Sequence, residues 1–174
     1  MSSKQIGRLL GGLALALASV QGHADNPQLA GSYTYVAERS DKIEAAIDTT
    51  VASANFIIRP IARSRLKKTN IPPYQKINIE FPAGKVSIVT DKRAPILTTG
   101  DSKSIRWKRE DGELLDVSTE WQGKELEESF ASDDGKRTNH FSLSGDGKEL
   151  KMHVVVTSPK LAKPLSYTLV YERR

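Results

Sequence analysis

The sequence predicts a mainly β protein: an antiparallel up-and-down β-barrel of about 8–10 strands, with a helical segment (a kinked helix or a helix pair) after the first strand. Three observations lead to this prediction. Apolar residues beyond Tyr74 alternate with polar ones, as in strands that bury one face. Residues 41–68 instead carry apolar side chains three and four positions apart, which is the period of a helix. Turn-forming pairs punctuate the alternating part at 111–112, 123–124, 134–135 and 146–147.

Closure into a barrel is expected because many short strands joined by tight turns would otherwise leave two unpaired sheet edges. The connections between the predicted strands are too short for a crossover helix, so neighbouring strands must run antiparallel. A flat sheet with the helical segment packed on one face is the alternative architecture.

The first 24 residues have the features of a secretory signal peptide. Lys4 and Arg8 form a basic start, an apolar run follows at 9–20, and small residues precede a cleavage point before Asp25. A bilayer-spanning helix needs about 20 apolar residues, so the run is short for one, although an uncleaved anchor is the alternative. The sequence therefore predicts an exported chain whose residues 25–174 form a single barrel domain.

The composition narrows the possible chemistry and the possible partners. The absence of cysteine excludes disulfides and thiolate chemistry, and in an exported chain it favours a bacterial periplasm over a eukaryotic exterior, with secretion as the alternative. Residues 25–174 carry 24 basic and 21 acidic side chains, a mildly basic balance. Aromatic residues are few and most bases are interleaved with acids, which argues against a nucleic-acid partner. Nothing in the sequence indicates an oligomeric state.

The order of elements begins with an alternating β-prone stretch at 31–36, the predicted first strand. The helical stretch follows, with acidic residues early and basic residues late, as the helix dipole favours. Because Pro60 lacks an N–H, we expect a bend or a helix-turn-helix near residues 55–60. The apolar face expected to cover the barrel consists of Ile43, Ala46, Ile47, Val51, Ala54, Ile58 and Ile61.

The rest of the chain reads as a run of strands. Their alternation places large apolar residues on one face, and most of the connections contain Gly, Asp or Pro. The predicted strands lie at 74–81, 85–90, 95–99, 104–109, 113–121, 126–131, 136–144, 150–157 and 165–172.

Several short motifs resemble the fatty-acid-binding-protein branch of the calycins, the group that also includes lipocalin-like barrels. Residues 31–33 (Gly-Ser-Tyr) are similar to the G-x-W that opens calycin barrels, and residues 169–173 are similar to the family's V-Y-E-(K/R) close. The hairpins within 109–136 resemble the family's turn pattern. The resemblance implies a barrel around a cavity, a helical lid or portal, and non-covalent binding of a hydrophobic small molecule or lipid. Leu169 stands where the family often has an arginine that fixes a ligand carboxylate, so a free fatty acid does not follow from it.

Aromatic and charged residues of the predicted strands are candidates for binding such a ligand. Glu128 and Arg137 share the inward phase of neighbouring strands, so they could meet diagonally and orient a polar head group. The alternatives are a solvated position at the barrel rim or a bulge that reverses the phase. The aromatic candidates, which could equally fill the core, are Trp107, Trp121, Phe130, Phe141, Tyr167 and Tyr171.

A basic cluster near the end of the helical stretch is a candidate for contact with an anionic membrane or with a protein partner. The alternative is a solvated helix end whose cations satisfy the helix dipole. The cluster consists of Arg59, Arg63, Arg65, Lys67 and Lys68.

Motifs of catalysis are missing from the sequence. It contains no G-x-S-x-G nucleophile elbow and no phosphate loop. His140 and His153 are predicted to face outward, and no third metal ligand is evident beside them. The sequence therefore predicts a protein without enzymatic activity, metal or cofactor. The hypotheses are a binding barrel, an envelope module that docks through its basic helix and, least favoured, an enzyme in the barrel mouth.

Overall fold

The computed structural model describes residues 26–174 and shows a mainly β fold, as predicted. The proposed signal peptide lies outside the described residues. Ten antiparallel strands form a nearly closed barrel, and two helices follow the first strand. The elements are β1 Gly31–Tyr35, α1 Ile43–Ala52, α2 Arg59–Asn70, β2 Lys76–Glu80, β3 Val86–Thr90, β4 Arg93–Thr98, β5 Ile105–Lys108, β6 Leu114–Gln122, β7 Glu125–Ser132, β8 Gly135–Leu143, β9 Glu149–Thr157 and β10 Leu165–Arg173.

Sequential strands are neighbours except for β4 and β5, and β1 joins the two halves of the sheet by pairing with both β2 and β10. Tyr33 of β1 lies opposite Ile77 of β2 on one side and opposite Arg173 of β10 on the other. The sheet order is therefore β4-β3-β2-β1-β10-β9-β8-β7-β6-β5, which confirms the up-and-down prediction.

The barrel is incomplete between β4 and β5, which are the two ends of the sheet. The segment that joins them crosses to β6 instead. Ser102 N donates a 2.9 Å hydrogen bond to Thr119 O, and the backbones of Asp101 and Glu120 form an isolated antiparallel β-bridge. The Thr119 hydroxyl also bonds the Thr98 hydroxyl and accepts from Gly100 N at 3.2 Å. These contacts at one end of the barrel replace the missing ladder between β4 and β5.

The helical stretch is a helix-turn-helix, one of the two forms expected from the position of Pro60, and Pro60 lies in the first turn of α2. Ile43, Ile47 and Val51 of α1 are buried in the core, where each contributes roughly 1.5–3 kcal/mol of transfer free energy. The prediction that the same face continues into α2 is wrong: Ile58 and Ile61 are 48% and 57% exposed. The break after α1 resets the helical phase. The number of residues between a position in α1 and one beyond the break therefore does not show whether the two share a face.

The barrel interior is filled largely by side chains. A large cluster contains buried side chains from β1–β3, from β7–β10 and from both helices, including the fully buried Leu126, Phe141 and Tyr171. A smaller cluster of Ile96, Leu115, Val117 and Phe130 lies near the break between β4 and β5. Within residues 26–174, neither helix is both long enough and apolar enough to cross a membrane.

Candidate ligand-binding site

An ion pair between Arg93 and Glu128 lies inside the barrel. Arg93 begins β4, Glu128 lies in the middle of β7, and Arg93 Nη2 donates to Glu128 Oε1. The side chains are only 7% and 2% exposed, so water screens their charges little. The pair spans the break in the sheet, because β4 and β7 are not neighbours.

Hydrogen bonds extend this pair across β8 to α2 and β10. Asn139 Nδ2 donates to Glu128 Oε2 at 3.0 Å, and Arg137 Nε donates to Asn139 Oδ1 at 2.9 Å. Arg137 Nη1 reaches Asn70 Oδ1 at 2.9 Å, and Tyr167 OH donates to the same oxygen at 2.8 Å. We call this set the interior network; its members are Asn70, Arg93, Glu128, Arg137, Asn139 and Tyr167.

The interior network carries an excess of positive charge and unused donors. It holds two guanidinium groups and one carboxylate. Arg93 Nε and Nη1 have no hydrogen-bond partner among the described residues, and neither does the buried hydroxyl of Tyr171. The Arg93 guanidinium lies 4.7 Å from the Phe130 ring centre, which compensates part of its charge. Buried donors without acceptors are costly, so this interior is suited to receive an anionic acceptor.

Buried tyrosines beside the guanidinium groups are held as neutral donors. Burial raises the pKa of Tyr171 and of Tyr167 above the usual value, and the nearby Arg137 only partly opposes this. Both hydroxyls therefore keep their protons across the physiological range.

A cavity of about 90 Å3 opens beside Arg137, between the end of α2 and the start of β2. Lys68, Lys92 and Arg137 contribute three cations to its wall, and none of the described residues that line it is acidic. Burial lowers the pKa of Lys92, with partial compensation by Asp91. Asn70, Tyr74 and Tyr167 also line the cavity, which therefore connects the interior network to the surface through a cationic mouth.

The structure brings together part of the predicted ligand set. Glu128, Arg137 and Tyr167 belong to the interior network, although Glu128 and Arg137 do not touch and are linked through Asn139. Their role in ligand binding stays a prediction, as it does for the others. The remaining candidates are partly buried in the case of Trp107 and Trp121, and buried in the case of Phe130, Phe141 and Tyr171.

Sequence reasoning missed Arg93, Asn70, Tyr74 and Lys92. The register shifts between β3 and β4, where Ile88 lies opposite Ile96 but Thr90 lies opposite Arg93. This bulge places Arg93 on the same side as Ile96 although the two positions differ in parity. The predicted strand began at residue 95, so Arg93 was assigned to no face, and alternation from Ile96 would have placed it on the wrong one.

The predicted basic cluster on α2 is partly engaged with α1. Arg63 pairs with Asp48, and Lys67 Nζ lies 2.8 Å from Glu44 Oε1. Arg59 Nη2 donates to the carbonyl of Ala52 at 2.9 Å. Arg59, Arg63 and Lys67 follow one another at four-residue intervals and line a shallow surface depression of about 420 Å3 together with Pro60 and Ser64. Three of the five cations thus contact α1 through largely exposed ion pairs and a carbonyl, and such exposed pairs stabilise the helix pair only weakly.

Two further sequence candidates can be placed. The rings of His140 and His153 lie side by side on the outer wall, with centres 6.2 Å apart. Among residues 26–174, no group of three or more His, Asp or Glu side chains is positioned to hold a metal ion.

Comparison with solved structures shows a calycin-like fold. An abundant heat-soluble protein from Ramazzottius varieornatus matches 87% of this chain and 99% of its own, with a TM-score of 0.61 and 8% identity. A Schistosoma mansoni fatty acid binding protein in complex with arachidonic acid matches 86% and 98%, with a TM-score of 0.54 and 12% identity. Caenorhabditis elegans lipid binding protein 8 matches 84% and 96%, with a TM-score of 0.52 and 8% identity. No protein-family model matches the sequence, and a search of curated proteins finds no relative.

Proposed function

We propose that this protein binds an amphiphilic small molecule, a lipid with an anionic head, inside its barrel. The observation that carries the proposal is the uncompensated positive charge of the interior network, with two unused N–H groups on Arg93. An anionic oxygen accepts shorter and stronger hydrogen bonds from guanidinium groups than a neutral acceptor does. The cationic cavity beside Arg137 is where such a head would enter.

The fold supports the same proposal. Solved structures with this architecture include a fatty acid binding protein that holds arachidonic acid. Leu169 still occupies the strand position where that family often has an arginine, so the head contacts proposed here come from Arg93 on β4 and Arg137 on β8. The absence of a catalytic motif also favours a binding role over an enzymatic one.

The size of the cavity sets a condition on binding. Ligand pockets usually measure roughly 300–1,000 Å3, and the cavity beside Arg137 measures about 90 Å3. A ligand tail therefore needs the interior to open around it. Met152 and Leu169 form the inner wall of the cavity, and the flexible Met152 side chain can repack there at little cost.

Native mass spectrometry of the protein purified without detergent tests the proposal, before and after incubation with oleate or with oleyl alcohol. We expect uptake of oleate, weaker uptake of the neutral alcohol, and loss of that preference in Arg137→Met. Lys151→Met, at an exposed position on β9, is the matched control. Equal uptake of acid and alcohol would contradict an anionic head site, and uptake of neither would reject the binding function.

A second candidate function is docking on an anionic membrane through the turn between α1 and α2. Phe56, Ile57 and Ile58 are exposed there in succession, Phe56 by 77%, and Ile61 follows on α2. Exposed apolar side chains beside Arg59 and Arg63 are typical of interfacial anchors, where the side chains enter the bilayer and the cations meet lipid phosphates.

Vesicle flotation separates this candidate from the first. We expect binding to vesicles that contain phosphatidylglycerol, at low salt, and its loss in the double variant Phe56→Ser, Ile57→Ser. Leu114→Ser is the control, because Leu114 is an exposed apolar residue on β6, away from the turn. Flotation that persists in the double variant would remove the reason for assigning the turn this role.

Export to a bacterial periplasm completes the proposal and is supported by the signal-peptide pattern of residues 1–24. Fractionation of the source cells with sequencing of the mature amino terminus tests it. A mature chain beginning at Asp25 is expected, and a cytoplasmic chain that retains residues 1–24 would contradict it.

A further inference from the structure

We infer that the side-chain amide of Asn70 acts as an internal stand-in for the ligand head, and that an incoming anionic head displaces it and frees the end of α2. This inference rests on the proposed function, because it concerns how the same site is opened. It assigns a gating role to a residue that sequence reasoning did not select.

The contacts of Asn70 are those expected of a ligand oxygen. Its Oδ1 accepts from Arg137 Nη1 at 2.9 Å and from Tyr167 OH at 2.8 Å, and the residue is only 5% exposed. Two donors, one of them cationic, thus converge on a neutral acceptor. A carboxylate or phosphate oxygen at that point would make hydrogen bonds roughly twice as strong, so it can compete with the amide for the same donors.

The position of Asn70 couples this exchange to the helix pair. Asn70 is the last residue of α2, and its Nδ2 donates to Leu66 O at 2.8 Å within that helix. The same side chain therefore connects α2 to β8 and β10 through Arg137 and Tyr167. When both donors turn to a ligand, the end of α2 loses these two attachments to the barrel wall.

Asn70 lies at the wall of the cavity, so release of its contacts to Arg137 and Tyr167 would affect the size of the cavity. The cavity beside Arg137 is lined by the end of α2 and the chain that follows, residues 68–74. This cavity is too small for a ligand tail, and its outer wall is the segment that Asn70 holds against the barrel. Movement of that segment enlarges the cavity at the point where the head enters.

Two substitutions separate the stand-in from an ordinary structural amide. Asn70→Asp places a permanent carboxylate between Arg137 and Tyr167, so we expect oleate to bind about tenfold or more weakly and its preference over oleyl alcohol to disappear. Asn70→Ala removes the competitor, so we expect oleate to bind more tightly. Asn78→Asp, on the outward face of β2, controls for the added charge.

Hydrogen exchange gives an independent measurement on the wild-type protein. Oleate should speed the exchange of backbone amides at the end of α2 while it slows exchange in the barrel strands. Wild-type protein that binds oleate with unchanged exchange in α2 would overturn this inference and leave the proposed function standing, and so would an unchanged oleate affinity in Asn70→Asp. Wild-type protein that binds neither probe would overturn both. The exchange experiment decides the matter even if a variant fails to fold.

Discussion

Arg93 and Glu128 form an ion pair across the break between β4 and β5. Within residues 26–174, these two strands are the ends of the sheet and are not hydrogen-bonded to each other. The pair thus links β4 to β7 inside the barrel, while Thr119 links the end of β4 to β6 nearer one rim. The charged side chains that close the barrel here are therefore also part of the proposed head site.

Removing the charge of Glu128 should destabilise the protein strongly. Glu128→Gln leaves the buried Arg93 guanidinium without a counter-charge, which costs about 3–5 kcal/mol. Denaturant unfolding checks this, with Glu120→Gln on the exposed face of β6 as the control. An unfolding midpoint equal to that of the control would show that the pair contributes no stability.

Replacing both charged residues of the pair should recover the stability lost in Glu128→Gln but not the preference for an anionic ligand. Arg93→Met combined with Glu128→Leu substitutes apolar side chains for the pair, and such replacements are often neutral or stabilising. We expect the double variant to unfold near the wild-type midpoint and to lose its preference for oleate over oleyl alcohol. A double variant that keeps the preference would exclude Arg93 from the head site.

The hydroxyl of Thr119 should contribute measurably to the free energy of unfolding, because it links β6 to the end of β4. Thr119→Val keeps the shape but removes the acceptor for Gly100 N and the partner of the Thr98 hydroxyl, at a cost of about 1–3 kcal/mol. Thr34→Val on the outward side of β1 is the isosteric control, whose hydroxyl makes an exposed contact to Arg174. Equal unfolding midpoints for the two variants would contradict a closing role for Thr119.

The two helices should respond differently to the loss of an isoleucine. Ile47 is fully buried, so Ile47→Ala should cost about 2–5 kcal/mol. Ile61 is largely exposed, so Ile61→Ala should change the free energy of unfolding by no more than about 0.5 kcal/mol. Thermal or denaturant unfolding measures both. A large loss in Ile61→Ala would return that residue to the covering face that helical spacing predicted.

The buried tyrosines should make the fold sensitive to alkali. The pKa of Tyr171 is raised by burial, so the folded state holds its proton more tightly than the unfolded chain does. The stability from this difference is full below the unfolded pKa of about 10 and is lost as the pH rises above it. Unfolding measured between neutral and alkaline pH should show this decline.

Substitution of two tyrosines separates their roles. Tyr171→Phe removes a hydroxyl that has no hydrogen-bond partner within residues 26–174, so it should leave stability at neutral pH unchanged or higher and should flatten the alkaline decline. Tyr167→Phe removes the donor to Asn70 and should destabilise the protein at neutral pH. Identical behaviour of the two variants would show that the hydrogen bond of Tyr167 has no energetic value.

Much of the architecture was predictable because it depends on local patterns. Alternation and turn pairs predicted about 8–10 antiparallel strands in up-and-down order, since each hairpin depends on neighbouring residues. The charged residues at the inward phase of β7 and β8 were identified for the same reason. Asn70 and Lys92 could not be identified in this way. One lies at a helix end and the other in a turn, and such positions have no periodic pattern that assigns them to the interior.

Local sequence patterns were enough to predict the β-barrel class, an interruption of the helical stretch near Pro60 and the inward phase of Glu128 and Arg137, because these follow from repeat periods and turn chemistry. The partners of these residues depend on three-dimensional packing. A bulge in β4 turns Arg93 inward to Glu128, and the packing of α2 on the barrel brings Asn70 to Arg137. Both contacts join residues that are far apart in the chain. Whether such residues meet in space depends on how the whole sheet closes and how the helices pack on it.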